Sequence, residues 1–385
     1  MSAGRRKLAV VGVSYPFRGG IAHYSTLLVR NLRQRHEVDF VTMSRQYPNF
    51  LFPGKTQYDD SADPIREADL PLIDSVNPLS WRRTARHLNR TQPELVLFNW
   101  WHPYFGMAYG SIIGMLSARM RRRVCFLCHN VHPHERHMSE RVLSGYAFMG
   151  VRNYIVHSEE DRRRLLAVKP TARIKRNGHP VYSQFSTRGT LDKRAAREKL
   201  GIPVDRKVVL FFGLIRPYKG LLNLIEAMPL LRQRVDCDLL VAGEFYDDKS
   251  KYTASVERLG IGAHVRFEDH YIPNEAVAPY FAAADVVVLP YLEASQSGII
   301  PIAYDFGTPV ITTRVGGLPE AVAEGVTGLL VEPGNPAALA DTIGRYYEED
   351  CEPRFRAAVR ERVGSLNSDE EIAHIEYFMK AANES

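Results

Sequence analysis

Arg216 and Lys219 stand three residues apart in the stretch Gly213-Leu-Ile-Arg-Pro-Tyr-Lys-Gly220, between an apolar run and a helical pattern. A planar guanidinium fork and a compact ammonium at that spacing can grip a diphosphate. Solvated loop charges are the other reading of the same spacing. Ser295-Gln296-Ser297-Gly298 runs directly into the apolar stretch Ile299–Phe306. A helix start built of small residues offers free backbone N–H groups and the positive end of a dipole, which suit phosphate or sugar hydroxyls. Gly19-Gly20 precedes another helical pattern, where glycine lets a phosphate approach the backbone closely. His129 falls at the end of the apolar run Val124–Leu127, and Asn99-Trp100-Trp101-His102 follows the run Glu94–Phe98. Tryptophan rings can stack on sugar faces. A tryptophan there can equally fill a core, and His129 can be a structural histidine.

A second chemistry is suggested and then set aside. Cys125-Phe-Leu-Cys128-His129 spells the c-type haem attachment motif, and His132, His134 and His137 follow within ten residues. That density invites a zinc reading. Haem attachment needs export and a free loop, whereas these cysteines fall on a strand. Residues three apart on a strand point to opposite faces and do not clasp one ion. No metal is expected.

The elements that must position these groups alternate between two periods. Lys7–Val13 reads as a strand, Ile21–Arg33 as a helix and Val38–Met43 as a strand. Arg45–Asp63 reads as a long loop with Tyr47, Phe50 and Phe52. Further on, Lys207–Phe212, Asp238–Ala242, His264–Glu268, Val286–Leu289, Pro309–Ile311 and Gly328–Val331 read as strands separated by helices. That rhythm belongs to parallel sheets with crossover helices, whose ligands bind beyond the carboxyl ends of the strands. The dinucleotide fingerprint G-x-G-x-x-G is missing after the first strand, which argues against NAD or FAD.

At 385 residues the chain exceeds one typical core, so two domains are expected. The polar segment from Ser183 to Lys207 places them at 1–183 and 207–365, joined by a linker 184–206, with a terminal helix 366–385 packing back on the first. The formal net charge of +6 suits an anionic ligand or a lipid surface. The basic runs Arg119–Arg123 and Arg162–Arg164 are not interleaved with aromatics, so nucleic acid is not favoured as a partner. Four scattered cysteines give no disulfide framework, and no apolar stretch approaches a membrane span. The expected place is the cytoplasm, with peripheral contact at the inner face of the membrane as a further option.

The whole chain resembles the retaining glycosyltransferases of family 4, which have the GT-B fold: α/β, with two doubly wound, Rossmann-like parallel-sheet domains facing a cleft. Gly307-Thr-Pro-Val-Ile311, Gly316-Gly-Leu-Pro-Glu320 and Thr327-Gly-Leu-Leu-Val331 look like that family's most specific segment. Phe211-Phe-Gly213 with Lys219-Gly220, Pro16–Gly20 and His129-Asn130 resemble three more of its motifs. Two departures stand out. The family's paired glutamates, eight residues apart, would fall on Ala294 and Ile302, with Glu293 one place early. Its arginine after the glycine would fall on Leu214, which leaves Arg216 as the substitute. The resemblance implies a sugar transfer from a UDP- or GDP-linked donor to a glycan or lipid-linked acceptor, with retention and without a cofactor or metal. It implies that His129, Arg216 and Lys219 are catalytic. Gly19, Gly20, Glu293, Gln296, Ser297 and Gly298 would meet the donor, and Trp101, His102 and Tyr47 the acceptor. A phosphorylase or hydrolase on the same scaffold, and a binding or scaffold protein that lost activity with its glutamates, are the rivals.

Overall fold

A computed structural model describes residues 5–52, 54–131, 138–178, 191–365 and 369–383. The histidines His132, His134 and His137 and the boundary expected near 183 lie outside the described residues. The described chain forms two compact units. The first takes residues up to Asp59, Pro64–Gly178 and the helix Asp369–Asn383, and the second takes Asp60–Asp63 with residues 191 to 365.

The first unit is a seven-stranded sheet. Its strands are β1 (Lys7–Val11), β2 (Glu37–Arg45), β3 (Leu70–Asp74), β4 (Leu95–Trp100), β5 (Val124–Cys128), β6 (Asn153–Val156) and β7 (Arg173–Arg176). Their order is β3-β2-β1-β4-β5-β6-β7, and every pairing is parallel. Strands β4 and β5 are buried at every residue, as expected for a parallel sheet covered on both faces. Trp100 belongs to this core and packs on Phe126 and Phe148. Strand β3 was not expected from the sequence, because Pro71 interrupts its pattern. Proline is tolerated there because β3 is an edge strand, and its register with β2 shifts at Thr42 and Met43. The helix Asp369–Asn383 covers this unit through Ile372, Ile375, Phe378 and Met379. Tyr24 donates a hydrogen bond to its buried Glu371, and His36 meets Glu376 at 3.0 Å.

The second unit has six strands. They are β8 (Lys207–Phe212), β9 (Cys237–Ala242), β10 (Val265–Glu268), β11 (Val286–Leu289), β12 (Val310–Thr313) and β13 (Gly328–Val331). The order is β10-β9-β8-β11-β12-β13, again all parallel. Lys193–Leu200, inside the stretch read as a linker, is a helix of this unit. Its sequence looks solvated, yet Arg197 is buried: Nε donates to Ala283 O at 3.0 Å and Nη2 to Asp285 Oδ1 at 2.8 Å. A charge that finds a carboxylate and a carbonyl inside can leave water, which composition alone does not reveal. Among the described residues no helix is long and apolar enough to cross a membrane.

Candidate functional site

In a doubly wound sheet the ligand crevice opens where strand order reverses. In the second unit that point lies between β8 and β11. The loop after β8 carries Arg216 and Lys219, and the loop after β11 carries residues 291 to 298. The two loops are tied together. Leu292 N donates to Tyr218 O at 2.7 Å. Gly220 has φ +69°, and a Cβ there would lie 2.0 Å from Pro290 O. Only glycine permits that approach.

Lys219 turns back along its own loop. Its Nζ lies 3.4 Å from the place a Cβ on Gly213 would take, and Ile299 Cδ1 lies 3.1 Å from the same place. The ammonium therefore stands against the start of the helix Ile299–Asp305, with Nζ 5.6 Å from the Tyr291 ring centroid. Arg216 is extended and half-buried, its guanidinium 5.1 Å from the Tyr246 ring centroid. Among the described residues neither cation has a carboxylate at ion-pair distance. Lys219 keeps some solvent access but is densely surrounded by protein. Burial first, and the charge of Arg216 second, bring its ammonium down to about 7. Burial likewise pushes the Tyr291 phenol well above its ordinary range.

The 291–298 loop is held from below. Thr313 Oγ1 donates to Tyr291 O at 2.6 Å, and Gly317 N donates to Ser295 O at 2.9 Å. The Ser297 hydroxyl lies 3.4 Å from Tyr291 OH and accepts from Ile299 N at 3.3 Å. It is thus used inside the loop, which leaves backbone groups for any ligand. Gln296 Nε2 is buried with no hydrogen-bond partner among the described residues. Glu293 is exposed, while Ala294 is buried. Gly316 has φ +53°, and a Cβ there would fall 1.6 Å from Ala294 O. Gly316→Ala is expected to cost about 2 kcal/mol or more and to displace the loop. Thermal unfolding checks the first effect and nucleotide binding the second; an unchanged melting temperature would contradict it.

In the first unit the strand order reverses between β1 and β4. Gly19 and Gly20 open the helix Gly20–Arg33, and no heavy atom lies within 4 Å of where their Cβ atoms would be. Their loop is pinned by Arg18 N donating to Gln57 O at 3.0 Å and Asp59 N to Pro16 O at 2.8 Å. After β4, Trp101 packs on Phe105 with centroids 4.5 Å apart, and Tyr47 lies 5.3 Å from the same ring. His102 Nδ1 accepts from Tyr104 N at 3.1 Å. Tyr47 and Trp101 therefore share one aromatic cluster around Phe105, with His102 in the turn beside it, while Trp100 is buried in the core. His129 sits apart in another group. Its N–H donates to Trp100 O at 2.8 Å, and its ring meets Tyr24 edge-on at 4.4 Å and His157 at 5.1 Å.

Sequence reasoning missed Tyr246, Tyr24, His157 and Glu371. Tyr24 was read only as one residue of the helix Ile21–Arg33. Glu371 lies in an acidic first turn, which reads as an ordinary helix start. Among the described residues no three His, Cys, Asp or Glu side chains are arranged to hold a metal ion.

Residues 206–349 match the family model described as "Glycosyl transferases group 1". The D-inositol 3-phosphate glycosyltransferase of Corynebacterium glutamicum (strain R) is 38% identical over 207 residues, covering 52% of this chain and 47% of the relative. That of Streptomyces scabiei (strain 87.22) is 34% identical over 205 residues, 51% and 46%. The chain spans about half the length of the curated relatives it matches. Among solved structures, the sucrose-phosphate synthase of Thermosynechococcus elongatus superposes with TM-score 0.74 at 21% identity, covering 99% of both chains. Anabaena HepE in complex with UDP-glucose gives 0.71 at 16%, covering 98% of this chain and 100% of that one. Residues 206–349 of the second unit are thus similar to a glycosyl transferases group 1 domain, and the two Rossmann-like sheets have the GT-B fold.

Proposed function

We propose that the chain transfers a sugar from a UDP- or GDP-linked donor to a hydroxyl acceptor, a glycan or a lipid-linked saccharide, with retention of anomeric configuration. One observation carries this reading. Arg216 and Lys219 stand at the switch point of a group 1 domain with no counter-charge among the described residues, a vacancy of charge that a diphosphate fills. The UDP-glucose held by Anabaena HepE, a protein of the same fold, supports a nucleotide-sugar donor.

The chemistry follows from that charge. Departure of the nucleotide builds negative charge on the β-phosphate oxygen, and preorganised cations stabilise it without reorganising. The acceptor hydroxyl attacks from the leaving-group face, and the departing phosphate takes its proton. The two side chains supply the positive charge, so the reading needs no metal. Backbone N–H groups of Ser297 and Gly298, with Gln296 and Glu293 beside them, are assigned to the donor. In the first unit, His129 and Gly19-Gly20 are assigned to sugar and phosphate, and Tyr47, Trp101 and His102 to the acceptor. A lipid-linked acceptor would bring the chain to the inner face of the membrane.

A second reading has its own observation. Where the family's paired carboxylates are expected, Ala294 is buried and Ile302 is apolar and half-buried. A chain that binds nucleotide sugar without turnover would fit that loss. A melting-temperature screen with UDP, GDP and ADP tests the shared premise, since a ligand of the native state raises apparent stability. The proposal expects a shift with UDP or GDP, and no shift with any of the three defeats both readings.

Lys219 sets the pH dependence of binding. Its pKa lies below the usual lysine value, so the ammonium is present below about 7 and is lost as pH rises. A diphosphate binds the charged form and raises that pKa again. Affinity for the nucleotide sugar should therefore fall about tenfold between pH 6 and pH 8. Lys219→Arg should flatten the profile, and a flat wild-type profile would contradict the assignment. Calorimetric titration in a pH series measures it.

A further inference from the structure

The helix Met138–Phe148 carries apolar side chains on its outward face. Its inward side, Ser144, Ala147 and Phe148, is buried. It packs beside the helix Gly106–Gly114, where the hydroxyls of Ser111 and Tyr146 lie 3.2 Å apart. On the opposite side stand Met138, Val142 and, just past the last turn, Met149. They are 75%, 65% and 66% exposed. Spacings of four and seven residues put all three on one stripe. Met107 of the neighbouring helix, 48% exposed, adds a fourth large apolar group. Single exposed apolar residues need no explanation, but an aligned group marks a contact surface.

Charge identifies the partner. Residues 106–123 hold four arginines and no aspartate or glutamate, and residues 138–152 hold Arg141 and Arg152 against Glu140 alone. The arginine-rich turn and the end of the apolar helix meet. Asn153 Nδ2, four residues past Met149, donates to Val124 O at 3.3 Å and reaches Arg122 O at 3.5 Å. Among the described residues Arg119, Arg121 and Arg141 enter no ion pair, and all three are exposed. Apolar side chains beside unpaired arginines fit an anionic bilayer. The former enter the acyl boundary while the guanidinium groups stay among the phosphates. A second copy of this chain is disfavoured, because a two-fold contact on this face would set arginines against arginines.

We propose that the outward face of Met138–Phe148, with Met107 and the arginines at 119 and 121, seats the chain on an anionic lipid surface. The proposal goes beyond sugar transfer, and its readout is binding, so it can fail while the transfer reading stands. The full chain is co-sedimented with vesicles of phosphatidylcholine alone and of phosphatidylcholine containing one-third phosphatidylglycerol. Binding should require phosphatidylglycerol and weaken as salt screens exposed charge. The pair Arg119→Ser and Arg121→Ser should lower partitioning by roughly fivefold per arginine. Val142→Asp should lower it by roughly tenfold, with an unchanged melting temperature because the position is exposed. Binding that ignores lipid charge, binding equal in these variants, or no binding would overturn the proposal. So would a solution dimer that Val142→Asp abolishes, which would make the face a protein interface.

Discussion

Arg216→Ala and Lys219→Ala each lower the rate of nucleotide release from the donor by about 10² or more, at saturating substrate. The size of the effect follows from how few charges are present. Among the described residues the Lys219 ammonium is the charge that stands against the start of the helix Ile299–Asp305, so its removal takes that contribution from the leaving phosphate. Arg216 has a different task. In the proposed mode its planar fork, 5.1 Å from the Tyr246 ring centroid, would hold two phosphate oxygens at once, which a lysine does not. Arg216→Lys should therefore recover only part of the loss. Arg234→Ala is the control. Arg234 pairs with Glu348 and Asp341 on the surface of the same unit, and its loss should leave the rate unchanged. Wild-type turnover in either alanine variant would refute the assignment of the diphosphate to these cations.

Arg197→Met lowers stability by about 3 kcal/mol, toward the lower end of what breaking a buried ion pair costs. Arg197 and Asp285 are 4% and 3% exposed. Asp285 also accepts from Val208 N at 2.6 Å, so the carboxylate fixes the start of β8 as well as the helix Lys193–Leu200. Lys193 also pairs with Asp285, which keeps the loss below the upper end of the range. Denaturant unfolding at constant m measures it. Because the methionine leaves Asp285 less compensated, the double variant Arg197→Met with Asp285→Asn should be more stable than Arg197→Met alone. Equal stability of the wild type and Arg197→Met would show that the pair contributes nothing net.

Much of the second unit was legible because most of its strands are apolar runs that stop at glycine, proline or a charge. Lys207–Phe212 and Gly328–Val331 end where the sequence says they should. The glycines that let the loops touch, Gly220 and Gly316, were visible as motif residues, but the reason for them was not. That reason is a carbonyl from a loop some seventy or twenty residues away in the chain. Three other features were not legible. Pro71 conceals β3, since proline argues against a strand until its place at the edge is known. The helix Ser250–Arg258 buries only Tyr252, Ser255 and Val256, too few apolar positions to show a period. Trp100 and Trp101 are indistinguishable as neighbours in sequence. The pleat of β4 sends the first into the core, and the second emerges past the strand's end. Arg197 and Glu371 share a cause. A charged side chain reads as solvated unless its partner is known, and their partners are 88 and 347 residues away.

Everything assigned to the second unit depends on its cations meeting a diphosphate that leaves a sugar. The direct measurement is release of free UDP or GDP by the purified chain, across a panel of UDP- and GDP-sugars with acceptor hydroxyls supplied. The account predicts release from at least one donor, abolished together with binding in the Arg216→Ala, Lys219→Ala double variant. Absence of both release and binding across the whole panel would contradict it.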